Sequence, residues 1–92
     1  MRHIEIENIL TISTSHITEE TAAVLENMEL VVYKKGNCGW FIYVDSANAI
    51  MDTIPNDLKE CLGFAKSLRC NILCLDSDGP IVENMGVYSW QN

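Results

Sequence analysis

The pattern of apolar and polar positions predicts four β-strands and two α-helices in the order β-α-β-β-α-β, followed by a C-terminal extension. The clearest strand covers residues 39–45, where every residue from Trp40 to Val44 is aromatic or β-branched. Alternate side chains of a strand point to opposite faces, so Phe41 and Tyr43 face away from Trp40. A strand that is apolar on both faces is either covered on both, or covered on one and used for binding on the other.

Three shorter stretches also have the pattern of strands. Residues 3–12 alternate between apolar and polar, with an interruption at Asn8 that predicts a β-bulge. Residues 30–34 are joined to the central strand by a Gly- and Asn-containing hairpin turn at 35–39, which predicts an antiparallel pair. Residues 72–75 form a continuous apolar run, which is typical of a buried strand.

Two segments have helical spacing. Thr18 followed by two glutamates predicts the start of a helix over residues 19–28. Its buried residues are expected to be Val24, Leu25 and Met28. Asn56 is expected to cap the second helix, in which Gly63 would pack closely against the sheet. Residues 46–55 before it are predicted to be a loop, with one short helical turn as the alternative. The apolar stripe of the second helix is Leu58, Cys61, Leu62, Ala65 and Leu68.

This order of elements matches the ferredoxin-like α+β fold, an antiparallel sheet with two helices on one face, here with a C-terminal extension. Right-handed crossovers would place strands one and three in the middle of the sheet. Another antiparallel α+β arrangement is the alternative. The 92 residues are expected to form a single domain, residues 1–92. Trp90 would be costly to expose, so the tail, residues 81–90, is expected to fold back onto the domain. Either it covers Phe41 and Tyr43, or Trp40, or these aromatic side chains form a protein-binding surface.

The charge of the chain restricts its partners. Thirteen acidic and six basic residues give a formal charge of −7, which argues against nucleic-acid and membrane-surface partners. RNA-recognition domains carry aromatic residues on the third strand of the same fold, but the run after Gly39 has no leading basic residue. The sequence contains neither a membrane-spanning run nor a signal-peptide pattern, so we expect a cytoplasmic protein.

Metal and cofactor chemistry receive little support from the sequence. Asp76, Asp78 and Gly79 resemble the beginning of a calcium loop, but Pro80 stands at a ligand position, and a tight polar turn is the better interpretation. Of the four cysteines, which we expect to be reduced, Cys70 and Cys74 would lie about 13 Å apart along a strand, too far for one zinc ion. Neither His3 nor His16 has a partner at ligand spacing, and His16 fits a helix-entry loop. We expect no cofactor and no metal.

Four stretches carry a resemblance to a known family. They are residues 39–44, 54–58, 75–80 and 87–90. They resemble a family of small bacterial proteins of unknown function, found largely on plasmids, phages and integrated elements. The resemblance covers the chain from about His3 to Trp90. Ser89 stands where the family pattern has Asp. The resemblance implies an accessory gene of a mobile element and assigns no catalytic residue.

Two functional hypotheses follow. The first is a non-enzymatic protein-interaction module with an unidentified protein partner, or a homodimer formed through an exposed aromatic face. Its candidate binding residues are Trp40, Phe41, Tyr43, Asp76, Asp78, Tyr88 and Trp90. A variant of it is an acidic anti-defence inhibitor, which would be strengthened by clustering of Glu5, Glu7, Glu19, Glu20, Glu26 and Glu29 on one face and weakened by their scattering. The second hypothesis is a small ligand-binding domain or enzyme that uses Asp45, Asp76 and Asp78.

Overall fold

The structure is a computed structural model, and it describes residues 6–90. Its strands are β1 (Ile9–Ser13), β2 (Val32–Lys35), β3 (Gly39–Tyr43) and β4 (Ile72–Asp76). Its α-helices are α1 (Glu19–Val24) and α2 (Asn56–Ser67), and its 3₁₀ segments are Thr14–His16, Leu25–Asn27 and Val44–Thr53. Within residues 6–90, no helix has the length and apolar character needed to cross a membrane.

The four strands form one mixed sheet in the order β1-β4-β3-β2. The α+β class is therefore confirmed, but the ferredoxin-like order is wrong. That order requires strands one and three in the middle, whereas β3 and β4 are the central strands and β1 lies at an edge. The prediction of an antiparallel sheet is also wrong for one pair, because β1 and β4 run parallel. The other two pairs, including the predicted hairpin, are antiparallel.

The connection between β3 and β4 accounts for this topology. Tyr43 at the end of β3 lies opposite Ile72 at the start of β4, so the connection begins and ends at the same end of the sheet. It contains the 3₁₀ segment Val44–Thr53 followed by α2, where the sequence predicted a loop and one helix. A single crossover helix joins parallel strands. Two successive helical segments instead return the chain to the end that it left, and β4 pairs antiparallel to β3.

The first half of the chain follows the predicted elements with shifted boundaries. β1 begins at Ile9. The carbonyl of Asn8, the residue before it, accepts hydrogen bonds from the N–H groups of Asn71 and Ile72. Residues 3–5 of the predicted strand lie outside the described residues. The predicted N-cap is confirmed, since the Thr18 hydroxyl accepts the Thr21 N–H. α1 is shorter than predicted.

The buried stripes of both helices are confirmed only in part. In the first helix Leu25 is buried and Met28 is partly buried, but Val24 is exposed. In the second helix the first four stripe residues are fully buried and Leu68 is exposed. Asn56 is the first residue of α2 and Pro55 precedes it without a side-chain cap, so the predicted cap is wrong. The space beside Gly63 is open, so its expected close packing is wrong too.

The two helices are joined at their N-terminal ends by Asp57. This buried carboxylate accepts the Thr18 backbone N–H at 2.7 Å and the Thr21 hydroxyl at 3.0 Å. One side chain of α2 thereby satisfies the donor groups at the start of α1. Capping interactions of this kind contribute on the order of 1 kcal/mol each.

The two faces of the sheet differ in what packs on them. On the covered face, Ile12, Ile42, Leu73 and Leu75 join a core with buried residues of both helices, and the tail adds Val82. We call the other side the open face. Its side chains, from alternate strand positions, are Ile9, Thr11, Ser13, Tyr33, Lys35, Phe41, Tyr43, Ile72, Cys74 and Asp76. On this face Tyr33 is 59% exposed and Ile9 is 50% exposed, Phe41 and Tyr43 are partly exposed, and Ile72 and Cys74 in the central strand β4 are buried.

The imidazole of His16 fastens the tail to the core. The ring is fully buried; Nδ1 lies 2.7 Å from the Gly86 carbonyl and Nε2 lies 2.9 Å from the Val82 N. A carbonyl can only accept and an N–H can only donate, so the ring is neutral with its proton on Nδ1. The Tyr88 N–H donates to the Ser15 carbonyl, and the Trp90 Nε1–H donates to the Ile17 carbonyl. The prediction that the tail folds back is confirmed.

Gly39 makes the tightest backbone approach in the sheet. Its φ is +157°, and a Cβ built on it would lie 1.7 Å from the Leu75 carbonyl oxygen. Lys35 lies opposite Gly39 on one side and Asp76 lies opposite it on the other. Because Gly39 has no side chain, Lys35 crosses β3 and forms an ion pair with Asp76.

We predict opposite effects of adding a methyl group at Gly39 and at Gly63. Gly39→Ala should lower the free energy of unfolding by more than about 3 kcal/mol, because β4 backbone must move. Gly63→Ala should raise it by about 0.5–1 kcal/mol, because the site is open and alanine favours helix. Urea unfolding followed by circular dichroism measures both. A loss below about 1 kcal/mol for Gly39→Ala would contradict the close approach.

We predict that His16→Ala destabilises the domain and releases the tail. It leaves the Val82 N–H and the Gly86 carbonyl without their partner, which should cost about 2–4 kcal/mol. In a Trp40→Phe background, emission from the remaining Trp90 should shift to the red. Glu83→Ala, at an exposed position of the tail, is the control and should change neither quantity. Unchanged Trp90 emission in His16→Ala would show that His16 does not hold the tail.

Candidate functional site

A groove lies at the end of the sheet where β1, β2 and β4 finish and β3 begins. We call it the Trp groove, and its volume is about 290 Å³. It is lined by Thr14, Lys34, Gly36, Asn37, Cys38, Gly39, Trp40, Ser77 and Trp90. Four separate segments contribute to it: the end of β1, the hairpin, the turn after β4 and the tail. Two of the predicted binding residues, Trp40 and Trp90, are therefore brought together here.

The two tryptophans are held by different contacts. Trp40 is half-buried on the covered face, packs against the core, and places its Nε1 3.4 Å from an oxygen of Glu26. Trp90 is anchored through its Nε1–H to the Ile17 carbonyl at 2.9 Å and remains partly exposed. Tyr88 contributes to the tail attachment through its main chain and does not line the groove.

A second cluster of aromatic side chains lies on the open face. Tyr33 pairs directly with Phe41 across β2 and β3, and its ring meets the Tyr43 ring edge-on with centroids 6.1 Å apart. We call Tyr33, Phe41 and Tyr43 the aromatic patch. The Lys35 ammonium lies 5.8 Å from the centre of the Phe41 ring. The patch and the Trp groove are thus on different sides of β3.

The predicted aspartate site is not assembled. Asp76 lies opposite Gly39 at the start of β3, whereas Asp45 follows the end of β3, at the opposite end of the sheet. Asp45, Asp76 and Asp78 therefore cannot act on one ligand, and that prediction is wrong. The ferredoxin-like order would also have placed strand one between strands three and four, which is wrong because β3 and β4 are antiparallel neighbours.

Asp76 and Asp78 instead stabilise a tight polar turn, as the sequence predicted. One Asp76 oxygen accepts the Asp78 N–H at 2.8 Å, and the other accepts the Lys35 ammonium. The hydrogen bond from Lys35 lowers the pKa of Asp76, and the same bond raises the pKa of Lys35. Both carboxylate oxygens of Asp76 are consequently engaged.

The buried thiols and the imidazole have structural positions, whereas Cys38 is exposed and lines the Trp groove. The four cysteines form no disulfide: Cys38 is exposed, Cys70 is partly exposed, and Cys61 and Cys74 are buried. Burial raises the pKa of Cys61 to about 12 and also raises that of Cys74, so neither is a thiolate at neutral pH. Among residues 6–90 no three His, Cys, Asp or Glu side chains form a group that could hold a metal ion, and His3 lies outside the described residues.

Two of the acidic candidates, Glu7 and Glu26, lie on different sides of the sheet. Glu7 is within hydrogen-bonding reach of the Tyr43 hydroxyl on the open face, whereas Glu26 meets Trp40 on the covered side. Glu5 lies outside the described residues. This scatter weakens the hypothesis of an acidic inhibitor, which a single negative face would have strengthened.

Sequence reasoning missed several residues of both sites. Tyr33 was not selected, although a turn that sets Lys35 opposite Gly39 also sets Tyr33 opposite Phe41. The same register also identifies Lys34 as a candidate, because it lies opposite Trp40 in the β2–β3 pair. Thr14 and Ser77 carry no comparable signal, since their meeting depends on the parallel pairing of β1 with β4.

Comparison with known proteins places the chain in a family. No curated protein and no solved structure matches it. A family model described as the C-terminal domain of a family of unknown function, DUF5983, matches residues 9–90. The match covers most of the chain and agrees with the resemblance to an uncharacterised family. The chain therefore belongs to the DUF5983 family, whose function is unknown.

Proposed function

We propose that this domain is a non-catalytic protein-binding module, and that its binding surface is the aromatic patch on the open face. In this proposal it acts in the cytoplasm as an accessory protein of a mobile element. The observation that carries the proposal is the asymmetry of the sheet. The helices and the tail pack on the covered face, while Tyr33, Phe41 and Tyr43 remain at the surface of a rigid sheet.

The composition of the patch fits this role. Tyrosine and other aromatic side chains contribute a large contact area at low cost in conformational entropy, and they dominate the binding energy of many interfaces. The patch continues into exposed Ile9 at the far edge of the same face. Lys35 is the one basic side chain on this face in the described part of the chain, and it is already paired with Asp76. The patch therefore offers a mainly apolar contact.

The placement of the reactive groups supports a binding role over a catalytic one. A general base must reach its substrate, but His16 is buried and the main chain of the tail occupies both of its nitrogens. A nucleophile must be accessible and activated, whereas Cys61 is buried with a raised pKa. Asp45 is separated from Asp76 and Asp78 by the length of the β3–β4 pair.

The proposal predicts a protein partner whose binding depends on the patch. Tagged protein is used to capture partners from a lysate of bacteria that carry the parent element, with mass spectrometry as the readout. The double variant Tyr33→Ala/Phe41→Ala should lose a stoichiometric partner that the unmodified domain retains. A control, Val24→Ala/Leu68→Ala, removes two exposed apolar side chains at the end of α1 and just after α2 and should retain it.

Calorimetry with the purified partner then measures how much the patch variant loses in binding affinity. The patch variant should bind at least about tenfold more weakly, which is the loss of one moderate interface anchor. Circular dichroism must first show that both variants are folded. A partner that binds both variants equally, or the absence of any stoichiometric partner including a second copy of the chain, would contradict the proposal.

A further inference from the structure

The Trp groove has the features of a second binding site, separate from the aromatic patch. We propose that it binds a small aromatic carboxylate. This inference does not depend on the proposed protein-binding function, because the groove lies beyond the hairpin end of the sheet and on the covered side of β3. Its volume of about 290 Å³ is at the lower end of the range for ligand sites and suits a ligand with one ring.

The walls of the groove are apolar and fixed in place. Trp40 packs against the core, and Trp90, which also lines the groove, is anchored through its Nε1–H to the Ile17 carbonyl. Gly36 adds backbone without a side chain, and the space beside it is open, so a ligand can approach the hairpin closely there. Two indoles held in this way favour a flat ring, because aromatic pairs contribute beyond the area that they bury.

The charge at the groove indicates an anion. Lys34 is the one charged residue among those that line it, in a chain whose formal charge is −7. The two hairpin lysines differ in what they contact. Lys35 is paired with Asp76, whereas Lys34 takes part in no ion pair within residues 6–90. Asp76, next to the lining residue Ser77, is neutralised by Lys35. Glu26 approaches the Nε1 of Trp40 and is not part of the lining.

The remaining polar groups suit a carboxylate. Thr14, Asn37 and Ser77 line the groove with two hydroxyls and an amide, all of which can donate hydrogen bonds. A charge-assisted hydrogen bond from Lys34 would be the strongest single contact. A ring against the indoles and a carboxylate at Lys34 together define the ligand class.

Three probes of nearly equal shape test whether the groove prefers a negatively charged ligand. Phenylacetate, phenylacetamide and phenethylamine are titrated separately into the protein, and the amide signals of Gly36, Asn37 and Ser77 and both indole N–H signals are followed by NMR. Phenylacetate should bind at least about tenfold more tightly than either of the others, the difference that one charge-assisted hydrogen bond provides. Equal binding of the three, tighter binding of the amine, or no shift of these signals would overturn the proposal.

Two variants locate the contact. Lys34→Gln should weaken phenylacetate binding at least about fivefold, as loss of one charged contact requires, and leave phenylacetamide binding unchanged. Lys66→Gln removes an exposed lysine from α2 and should change neither. Unchanged phenylacetate binding in Lys34→Gln overturns the assignment. N-acetylphenylalanine imitates the last residue of a protein chain; if it binds about tenfold more tightly than phenylacetate, the occupant is a protein C-terminus and the small-ligand proposal fails.

Discussion

The hydrogen bonds of the buried His16 imidazole are the interaction on which both candidate surfaces depend. One ring nitrogen accepts a hydrogen bond from the Val82 N–H, and the other donates one to the Gly86 carbonyl. The ring thus supplies the tail backbone with the hydrogen-bond partners that a neighbouring β-strand would otherwise provide. With the tail fixed, Trp90 reaches the Ile17 carbonyl and completes the Trp groove. Because the tail is held on the covered side of the sheet, it does not cover the aromatic patch. The position of one residue thus determines which surfaces the domain presents.

The second constraint is the close approach of β3 to β4 at Gly39. It allows Lys35 to cross the strand to Asp76, and this pairing leaves Lys34 as the free cation of the hairpin within residues 6–90. The ion pair is partly exposed, so its contribution to stability is small. Its importance lies in position: it fixes the hairpin relative to the turn after β4, and these two segments form most of the groove.

Local features of the fold could be predicted from the sequence because they depend on near neighbours. The hairpin, the Thr18 cap, the buried stripe of α2 and the turn after β4 all follow from turn chemistry and periodicity. The strand order could not be predicted, because it depends on whether residues 44–53 form a loop or a helical segment that returns the chain. Their mixed pattern of small, polar and apolar residues favours neither. The predicted fold makes strands three and four run in the same direction, which sets Asp45 and Asp76 at the same end of the sheet, whereas the antiparallel β3–β4 pair sets them at opposite ends.

The binding residues illustrate the same limit. Trp40 and Trp90 were both selected as aromatic candidates, but only the docked tail brings them into one groove. His16 was interpreted as part of a helix-entry loop, which is correct for its backbone, since Thr14–His16 is a short 3₁₀ helix capped by Ser13. Its side-chain role depends on partners 66 and 70 residues away in the chain, and local pattern carries no information about them.

The most direct test of this account is amide hydrogen exchange at Val82 and Tyr88 in the unmodified protein, measured by NMR. Both amides are predicted to be protected to an extent comparable with Leu73 in the central strand, because each donates to a group in the folded core. Exchange at the rate of an unstructured peptide would contradict the account. The tail would then be detached, the Trp groove would lack one wall, and the role given to His16 would be wrong.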